Sequence, residues 1–243
     1  MNPAAMSSGL GGMVDGTLRQ FGVFDQDGLV RMPSNLSYRE AASLVCAGLT
    51  SWNSLFGLKP LKAGQWVLVE GTGGVSLFAL QFAKAQGAHV VATTSSKEKG
   101  EILKNLGADH VINYRENENW GETARKLTTN GEGFDHILEL GGKNTVRESI
   151  KAMKYEGVMS AIGLLGGEMP TESIMEPLLK VFIVRGVYVG PKDLMEDMVT
   201  FIEKHDIHPV LDKHEFCLEE TRQAYEYMWA AKHFGKVTIT IDS

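Results

Sequence analysis

The run from Gln65 to Ser96 constrains the fold more than any other part of the chain, because its hydrophobic period changes at a glycine cluster. Trp66 to Val69 is short, apolar and rich in β-branched residues, as in a buried strand. After Gly71-Thr72-Gly73-Gly74, apolar residues recur at helical spacing from Val75 to Ala83, and a second β-rich run follows at His89 to Thr94. This pattern predicts a strand, a tight glycine turn, a helix and a strand, which together form a βαβ unit of about 30 residues.

A turn of this kind is suited to hold a phosphate. It favours residues without a Cβ, and the helix that it opens directs unpaired N–H groups and a partial positive charge back at the turn. The strand before it and the helix after it are typical of a dinucleotide site, although Ser76 stands in place of the usual third glycine. The alternative is a βαβ turn with a purely structural role.

The residues after the second strand indicate which dinucleotide is bound. An NAD site usually places Asp or Glu there, about 20 residues past the glycines, to accept hydrogen bonds from the ribose. This chain has Thr93-Thr94-Ser95-Ser96-Lys97-Glu98-Lys99 instead. Hydroxyl groups and lysines can receive a 2′-phosphate, so the sequence favours NADP(H). The alternative is that this segment is only a capped, solvated helix start, with Glu98 offsetting the lysines.

Composition narrows the class of partner. A formal net charge of −6 and a pI near 5.7 offer no broad basic surface, so we expect neither nucleic acid nor an anionic membrane as a partner. The two cysteines, Cys46 and Cys217, are far apart in the sequence and suit a reducing compartment. No apolar run approaches the ~18 residues of a membrane span, and the start of the chain does not resemble a signal peptide. We therefore expect a cytoplasmic location.

The remaining pattern predicts an α/β protein with a doubly wound parallel sheet, because strands and helices alternate from Gln65 onward. Ahead of it, the short apolar pieces within Val14 to Pro33 predict a small antiparallel β element, and Ser37 with Glu40 forms a capping box that opens a helix. In a doubly wound sheet ligands bind outside the carboxyl ends of the strands. That rule nominates the residues 71–75, 94–96, 114, 139–142, 162–164 and 189–190, although each position alone could be ordinary turn chemistry.

From about Leu10 to Ile241 the sequence resembles the medium-chain dehydrogenase/reductase superfamily, in particular its zinc-independent quinone and enoyl reductase-like branch within the alcohol dehydrogenase family. The stretches that carry the resemblance are LGGMVDGTLRQF, LSYREAASLVCAGLTSWNSLF, VLVEGTGGVSLFALQFAKAQGA, LGADHVINYR, FDHILELGG and HFGKVTI. The resemblance implies a Rossmann domain that binds a nicotinamide dinucleotide.

The resemblance also implies roles for individual residues, by motif position. Thr50 would touch the nicotinamide amide, the turn would carry the pyrophosphate, and a polar group would surround the adenosine phosphate. The ends of later strands would line the ribose and nicotinamide, and two C-terminal residues would close the site. In that order the residues are Thr50; Gly71, Thr72, Gly73, Gly74 and Val75; Ser95, Ser96, Lys99 and Tyr114; Glu139, Gly141, Ile162, Gly163, Leu164, Tyr188 and Val189; and Phe234 with Lys236. Thr94 is added to the expected cofactor site by its place at the end of the second strand.

Members of this family begin with a GroES-like β domain, most of which we expect to be missing ahead of Met1. We therefore predict three segments: residues 1–36 as a remnant of that domain, 37–206 as the Rossmann domain with its leading helix, and 207–243 as the C-terminal return to the remnant. The last parallel strand, residues 182–189, has no successor in the sheet and would be an exposed apolar edge. Family members pair at this strand, and we expect a homodimer through it.

The sequence offers no metal site and no identifiable catalytic acid. A cysteine at the place of Cys46 is a zinc ligand in the zinc branch, but a catalytic zinc needs three protein ligands and the seven histidines show no suitable spacing. We expect Cys46 to be a small buried apolar residue. Tyr188 and Lys192 spell the Tyr-x-x-x-Lys of short-chain dehydrogenases, yet Gly190-Pro191 between them cannot form the helical turn that this motif requires.

The leading hypothesis is an NADPH-dependent oxidoreductase that transfers hydride to a carbonyl or an activated alkene, such as an enone, a quinone or an enoyl compound. Hydride transfer needs little from the protein beyond holding the nicotinamide against an electrophilic carbon. The alternative is a cofactor-binding pseudoenzyme, or a non-redox catalyst such as an isomerase, that keeps the nucleotide site and uses the remodelled cleft.

Overall fold

The computed structural model of the protein describes residues 7–241, which divide into two compact units. One unit consists of the described residues up to Leu49 together with those from Gly190 onward, and the other is Thr50–Val189. The divisions therefore fall at 49/50 and 189/190, whereas the predicted segments change at 36/37 and 206/207. Residues 1–6 and 242–243 of the predicted outer segments lie outside the described part of the chain.

The Thr50–Val189 unit holds a six-stranded sheet in which every paired neighbour is parallel, in the order β3-β2-β1-β4-β5-β6. The order reverses between β1 and β4, which is the switch point of a doubly wound fold. The predicted Rossmann architecture is thus confirmed. The strands are β1 Trp66–Glu70, β2 His89–Thr94, β3 His110–Asn113, β4 Phe134–Glu139, β5 Met153–Ala161 and β6 Ile183–Gly186.

Helices occupy the connections of this sheet, and the helix after the glycine turn shows why. Its apolar residues repeat at helical spacing, so Phe78, Ala79 and Phe82 all reach the core and are at most 2% exposed. The β1 residues Val67 and Leu68 are fully buried against such helices. The helices of this unit are α2 Leu49–Phe56, which starts at the boundary, α3 Gly74–Ala85, α4 Lys97–Asn105, α5 Trp120–Leu127, α6 Val146–Ala152 and α7 Glu176–Lys180.

The other unit contains a parallel strand pair together with helices. The strands β7 Leu211–Cys217 and β8 Lys236–Thr240 pair in parallel and are joined by helix α9 Thr221–Trp229. Helix α1 Tyr38–Ala42 opens with the predicted capping box, in which the Ser37 backbone N–H donates to Glu40 at 2.8 Å. Helix α8 Lys192–His205 completes this unit, and its Glu203 accepts the Ser34 N–H at 2.7 Å.

The predicted β element between Val14 and Pro33 is wrong. This segment contains one short 3₁₀ turn at Gln26–Gly28 and no strand. Its apolar side chains have no face to pack against, since Phe21 is 84% and Val23 is 100% exposed. An isolated hairpin is only marginally stable in water, so the apolar pattern alone does not form one.

Candidate functional site

A cavity of about 530 Å³ opens at the carboxyl ends of the central strands, where the strand order reverses. Ligands of doubly wound sheets bind at this position. Turn residues after β1 and β4 line the cavity, and side chains from the β3 and α6 regions contribute to it. The lining residues are Glu70, Gly71, Thr93, Tyr114, Glu118, Trp120, Leu140, Gly141, Asn144, Thr145, Glu148, Leu165 and Gly166.

The glycine turn has the geometry that a phosphate requires. Gly71 has a φ of +76°, in the left-handed region that favours glycine, and its N–H donates to the Thr93 carbonyl at 2.9 Å. Gly73 caps α3 without a side-chain hydrogen bond, so no side chain of the described residues occupies the cap of that helix. A Cβ built on Gly71 or Gly73 would meet nothing within 4 Å, which means that both face open space. The first turn of α3 can therefore receive an anion.

Ser76 explains how the turn works without a third glycine. Its side chain is fully buried, and its hydroxyl donates to the Glu70 carbonyl at 2.5 Å. This bond ties the first turn of α3 to the end of β1. A small hydroxyl residue thus permits close packing of the helix on the strand and adds a hydrogen bond that glycine lacks.

The predicted adenosine phosphate residues lie together after β2 and β3. Ser96 caps α4 by accepting the Lys99 N–H, so this segment is a capped helix start. The cap does not exclude phosphate binding, because Lys99 is only partly buried and Ser95 is half-buried beside it, and the role of both residues in cofactor binding stays a prediction. Tyr114 follows β3, is 40% exposed and lines the cavity. Glu98 is exposed in the first turn of α4.

The turn after β4 is organised by Glu139, one of the predicted site residues. Glu139 is 3% exposed, and its Oε1 accepts the N–H groups of Gly141 at 3.0 Å and Gly142 at 2.9 Å. The Thr145 hydroxyl donates to the same oxygen. Glu139 is therefore a structural residue that shapes the turn, while Gly141 itself lines the cavity.

The predicted residues Ile162, Gly163, Leu164 and Tyr188 lie beyond the carboxyl ends of β5 and β6. The Ile162 N–H donates to the Glu139 carbonyl at 3.0 Å, and a Cβ on Gly163 would lie 3.1 Å from the Leu140 carbonyl oxygen. These contacts bring the turns after β4 and β5 together. Leu164 is 49% and Tyr188 is 63% exposed. Their predicted contact with the nicotinamide half of a cofactor stays a prediction.

Val189 adopts a strained conformation that a neighbouring asparagine supports. Its φ of 51° is unusual for a β-branched residue. The Asn53 Nδ2 donates to the Val189 carbonyl at 2.7 Å, and the guanidinium of Arg185 donates to the Asn53 carbonyl at 3.0 Å and to Asn53 Oδ1 at 2.7 Å. Backbone strain of this kind concentrates at functional sites. Sequence reasoning nominated Val189 and missed the two residues that hold it.

Three predicted cofactor residues lie away from this cluster in the chain. Thr50 begins the Thr50–Val189 unit inside α2 and is 4% exposed. Phe234 and Lys236 belong to the other unit, where their N–H groups donate to Asp212 at 2.7 Å and to the Val210 carbonyl at 3.0 Å. The roles of all three in cofactor binding stay predictions.

Glu70 is the most informative residue that sequence reasoning missed. It is 7% exposed, and its Oε2 accepts the N–H groups of Leu140 at 3.0 Å and Gly141 at 3.3 Å, while the Ser149 hydroxyl donates to Oε1 at 2.7 Å. Burial raises the pKa of the Glu70 carboxyl well above its usual value, and the nearby Glu139 raises it further. The only signal in the sequence was a carboxylate at the end of an apolar strand.

The described residues do not offer a zinc site. In residues 7–241 no three His, Cys, Asp or Glu side chains are grouped to hold a metal ion. Cys46 lies in a π-helical turn at Leu44–Gly48 and is exposed, so the prediction that it is buried is wrong. The wider turn leaves Cys46 and the neighbouring Val45, which is 63% exposed, outside the core. As predicted, Tyr188 and Lys192 share no helix, since α8 begins only at Lys192.

Comparison with known proteins identifies relatives among the alcohol dehydrogenases. Residues 74–204 match the sequence profile of the zinc-binding dehydrogenase family. A zinc-type alcohol dehydrogenase-like protein of Schizosaccharomyces pombe is 45% identical over 244 aligned residues, which cover 98% of this chain and 70% of the relative. The chain spans 65–70% of the length of this relative and of an alcohol dehydrogenase of Geobacillus stearothermophilus.

Two solved structures of nicotinamide-dependent or nicotinamide-bound proteins have the same fold as this chain. An NAD-dependent alcohol dehydrogenase superimposes with a TM-score of 0.86 at 28% identity, covering 96% of this chain and 67% of the other. A mycobacterial protein in complex with NADPH superimposes with a TM-score of 0.73 at 25% identity, covering 86% and 68%. One of these two proteins is thus described as NAD-dependent, and the other was solved with NADPH.

Proposed function

The chain belongs to the zinc-binding dehydrogenase family of alcohol dehydrogenase-like oxidoreductases, and on that premise we propose that it is an NADP(H)-dependent reductase of carbonyl compounds or activated alkenes. The observation that carries the proposal is the glycine turn beside the cavity at the switch point. The open N-terminus of α3 lies next to a cavity of about 530 Å³, so the pyrophosphate and the adenosine of a dinucleotide have adjoining positions.

The preference for NADP(H) over NAD(H) is supported by charge. Thr94, which ends β2, and the following Ser95 and Ser96 are not acidic, and Lys99 lies one helical turn further on. A 2′-phosphate would gain hydrogen bonds from the hydroxyls and an ion pair from the lysine. The NADPH complex of the mycobacterial relative supports this choice, whereas the NAD-dependent relative shows that the fold alone does not decide it.

The chemistry that we propose is hydride transfer, which the bound nicotinamide supplies. The residues of this chain would contribute by holding the dinucleotide: the amides at the start of α3 would bind the diphosphate, and the turns after β4 and β5 would shape the cleft beside it. We propose that the reaction is independent of zinc, and no step relies on a metal.

The test is turnover of the purified chain with NADPH and a panel of enones, quinones and aldehydes. Loss of absorbance at 340 nm with at least one class of acceptor, and slower loss with NADH, is the expected result. Tight NADPH binding without turnover would favour the pseudoenzyme alternative, and an isomerised product without NADPH consumption would favour a non-redox catalyst. The absence of both binding and turnover would exclude the proposal.

We also propose that two copies associate through the edge strand β6 and act in the cytoplasm. Ile183 and Val184 of β6 are 43% and 49% exposed, and an uncovered apolar edge favours pairing with a second strand. The cysteines Cys46 and Cys217 are both free, which suits a reducing compartment. In residues 7–241 no helix is long and apolar enough to cross a membrane. A monomer in sedimentation at micromolar concentration, unchanged by Val184→Lys, would exclude the dimer.

A further inference from the structure

Two buried carboxyl groups meet at the cavity, and one of them, Glu70, belongs to its lining. Glu70 ends β1 and Glu139 ends β4, and because these strands are parallel neighbours their side chains come together at the same edge of the sheet. Both residues are at most 7% exposed. The Gly141 N–H donates to both of them, to Glu70 Oε2 at 3.3 Å and to Glu139 Oε1 at 3.0 Å, so the two carboxyl groups adjoin. Two ionised carboxylates this close and this buried repel each other strongly, so such a pair holds one proton.

The donors around the pair show where a proton is missing. Oε1 of Glu139 accepts from two backbone N–H groups and from the Thr145 hydroxyl, so this oxygen is well supplied with donors. Its other oxygen, Oε2, is buried and has no hydrogen-bond partner among the described residues. A proton on Glu70 gives that oxygen its missing donor. The raised pKa of Glu70, which arises first from burial and then from Glu139, agrees with this assignment.

The described residues that line the cavity beside the pair include no positive side chain that could replace the proton. Of the residues that line the cavity, Glu118 and Glu148 are acidic and Tyr114 is a phenol, and no Lys, Arg or His is among them. Glu148 is itself paired with Lys151 of the same helix at 2.5 Å. On the helix sides, the groups that face Glu70 are the hydroxyls of Ser149 in α6 and Ser76 in α3.

Glu70 also connects three parts of the cleft. Its backbone carbonyl binds Ser76 at the start of α3, one side-chain oxygen binds Ser149 of α6, and the other binds the N–H groups of Leu140 and Gly141. The Leu140–Gly142 turn is therefore held from one side by Glu70 and from the other by Glu139. Leu140 and Gly141 line the cavity, so any loosening of this turn changes the shape of the cleft.

We propose that Glu70 is a positioning residue that shares one proton with Glu139, and that this protonated pair fixes the Leu140–Gly142 turn in the shape that binds the dinucleotide. Loss of the proton places two negative charges behind the turn and weakens binding. The proposal rests on the proposed function for its ligand. The hydrogen bonds by which Glu70 and Glu139 hold the Leu140–Gly142 turn, here called the clamp, exist in the ligand-free protein and can be measured separately.

The experiment is a fluorescence titration of the full chain with NADPH from about pH 6 to about pH 9.5. For the wild-type chain the dissociation constant should rise with pH above the titration of the pair, by up to about tenfold per pH unit for a single linked proton. Glu70→Gln, whose amide carries both a donor and an acceptor as the protonated acid does, should bind as tightly as wild type at low pH and lose this rise. Glu70→Ala should bind about tenfold more weakly at low pH, because the Leu140 N–H and the Ser149 hydroxyl lose their acceptor and the Gly141 N–H loses one of its two.

Glu101→Gln serves as the matched control. Glu101 is an exposed glutamate of α4 that pairs with Lys104 at 3.0 Å, and its substitution should leave the wild-type pH profile unchanged. Parallel profiles for wild type and Glu70→Gln would overturn the proposal. A wild-type profile that is flat over the whole range would overturn it as well.

A second measurement separates this proposal from the proposed function. Amide hydrogen exchange of the ligand-free chain measures the protection of the N–H groups in the Leu140–Gly142 turn, after correction for the intrinsic effect of pH on exchange. Protection of this turn should fall at alkaline pH in wild type and persist in Glu70→Gln. If no dinucleotide binds at any pH but protection follows this pattern, the function is wrong and the clamp stands. If protection is the same in both proteins, the clamp itself is wrong.

Discussion

Histidine 136 should make the sheet-containing unit sensitive to mild acid. It lies in β4, where its backbone is in register with Val67 of β1 and Val158 of β5, and it is 2% exposed. Burial lowers the pKa of its imidazole from 6.5 to about 4. The charge of Lys59 acts in the same direction, while Asp135 acts against it. The folded protein therefore keeps this ring neutral at a pH where an unfolded chain would protonate it.

The size of the effect follows from the two pKa values. They differ by about 2.5, which at 1.36 kcal/mol per pH unit corresponds to about 3.4 kcal/mol when the loss is complete. Above pH 6.5 both states are neutral and the histidine has no effect on the free energy of unfolding. As the pH falls the unfolded state binds the proton first, so stability declines through pH 6.5 and levels off below pH 4. Between pH 7 and pH 5 the expected loss is about 2 kcal/mol.

The assay is urea unfolding, followed by tryptophan fluorescence, at these two pH values. His136→Leu should remove the acid-dependent loss, so that wild type loses about 2 kcal/mol more than the variant. His110→Gln, which changes an exposed histidine at the start of β3, should keep the wild-type response. If wild type and His136→Leu lose the same free energy between pH 7 and pH 5, burial does not hold His136 neutral and the reasoning fails.

Three further predictions concern the cleft. Gly73→Leu should change the free energy of unfolding by less than about 1 kcal/mol, because a Cβ at this position meets nothing within 4 Å. The same variant should abolish dinucleotide binding in calorimetry. The control variant Gly28→Leu, where a Cβ also meets nothing within 4 Å, should bind the dinucleotide normally. Asn53→Asp should destabilise the chain in urea by about 1–3 kcal/mol, because it removes the donor to the Val189 carbonyl, and an unchanged midpoint would contradict the role of Asn53. Lys99→Glu should weaken NADPH binding about tenfold and leave NADH binding unaltered, whereas equal losses would show that Lys99 does not contact the 2′-phosphate.

Much of the sheet could be predicted because its signals are local. β1 contains the apolar run Trp66 to Val69 and β2 the apolar run Val90 to Ala92, and the glycine turn between them changes the hydrophobic period within a few residues. The predicted strand at 182–189 is shorter in the structure, since β6 ends at Gly186 and the chain then turns through the left-handed Val189. Such an ending depends on Asn53 and Arg185, which are distant in sequence and carry no local signal.

The parts of the site that could not be predicted depend on which strands become neighbours. Glu70 and Glu139 are brought together only by the pairing of β1 with β4, and a single carboxylate at a strand end looks like an ordinary strand boundary. The absent β element at Val14 to Pro33 and the exposure of Cys46 have a related cause. An apolar pattern indicates that a segment tends to be buried. Residues elsewhere in the chain determine whether that segment finds a surface to pack against or forms a regular helical turn.

The central claim is that the start of α3 binds the diphosphate of a dinucleotide with an additional phosphate on its adenosine. The most direct test is isothermal titration calorimetry of the chain with NADPH and, separately, NADH. The account predicts that NADPH binds and that it binds more tightly than NADH. Absence of heat with both nucleotides, or tighter binding of NADH, would contradict it.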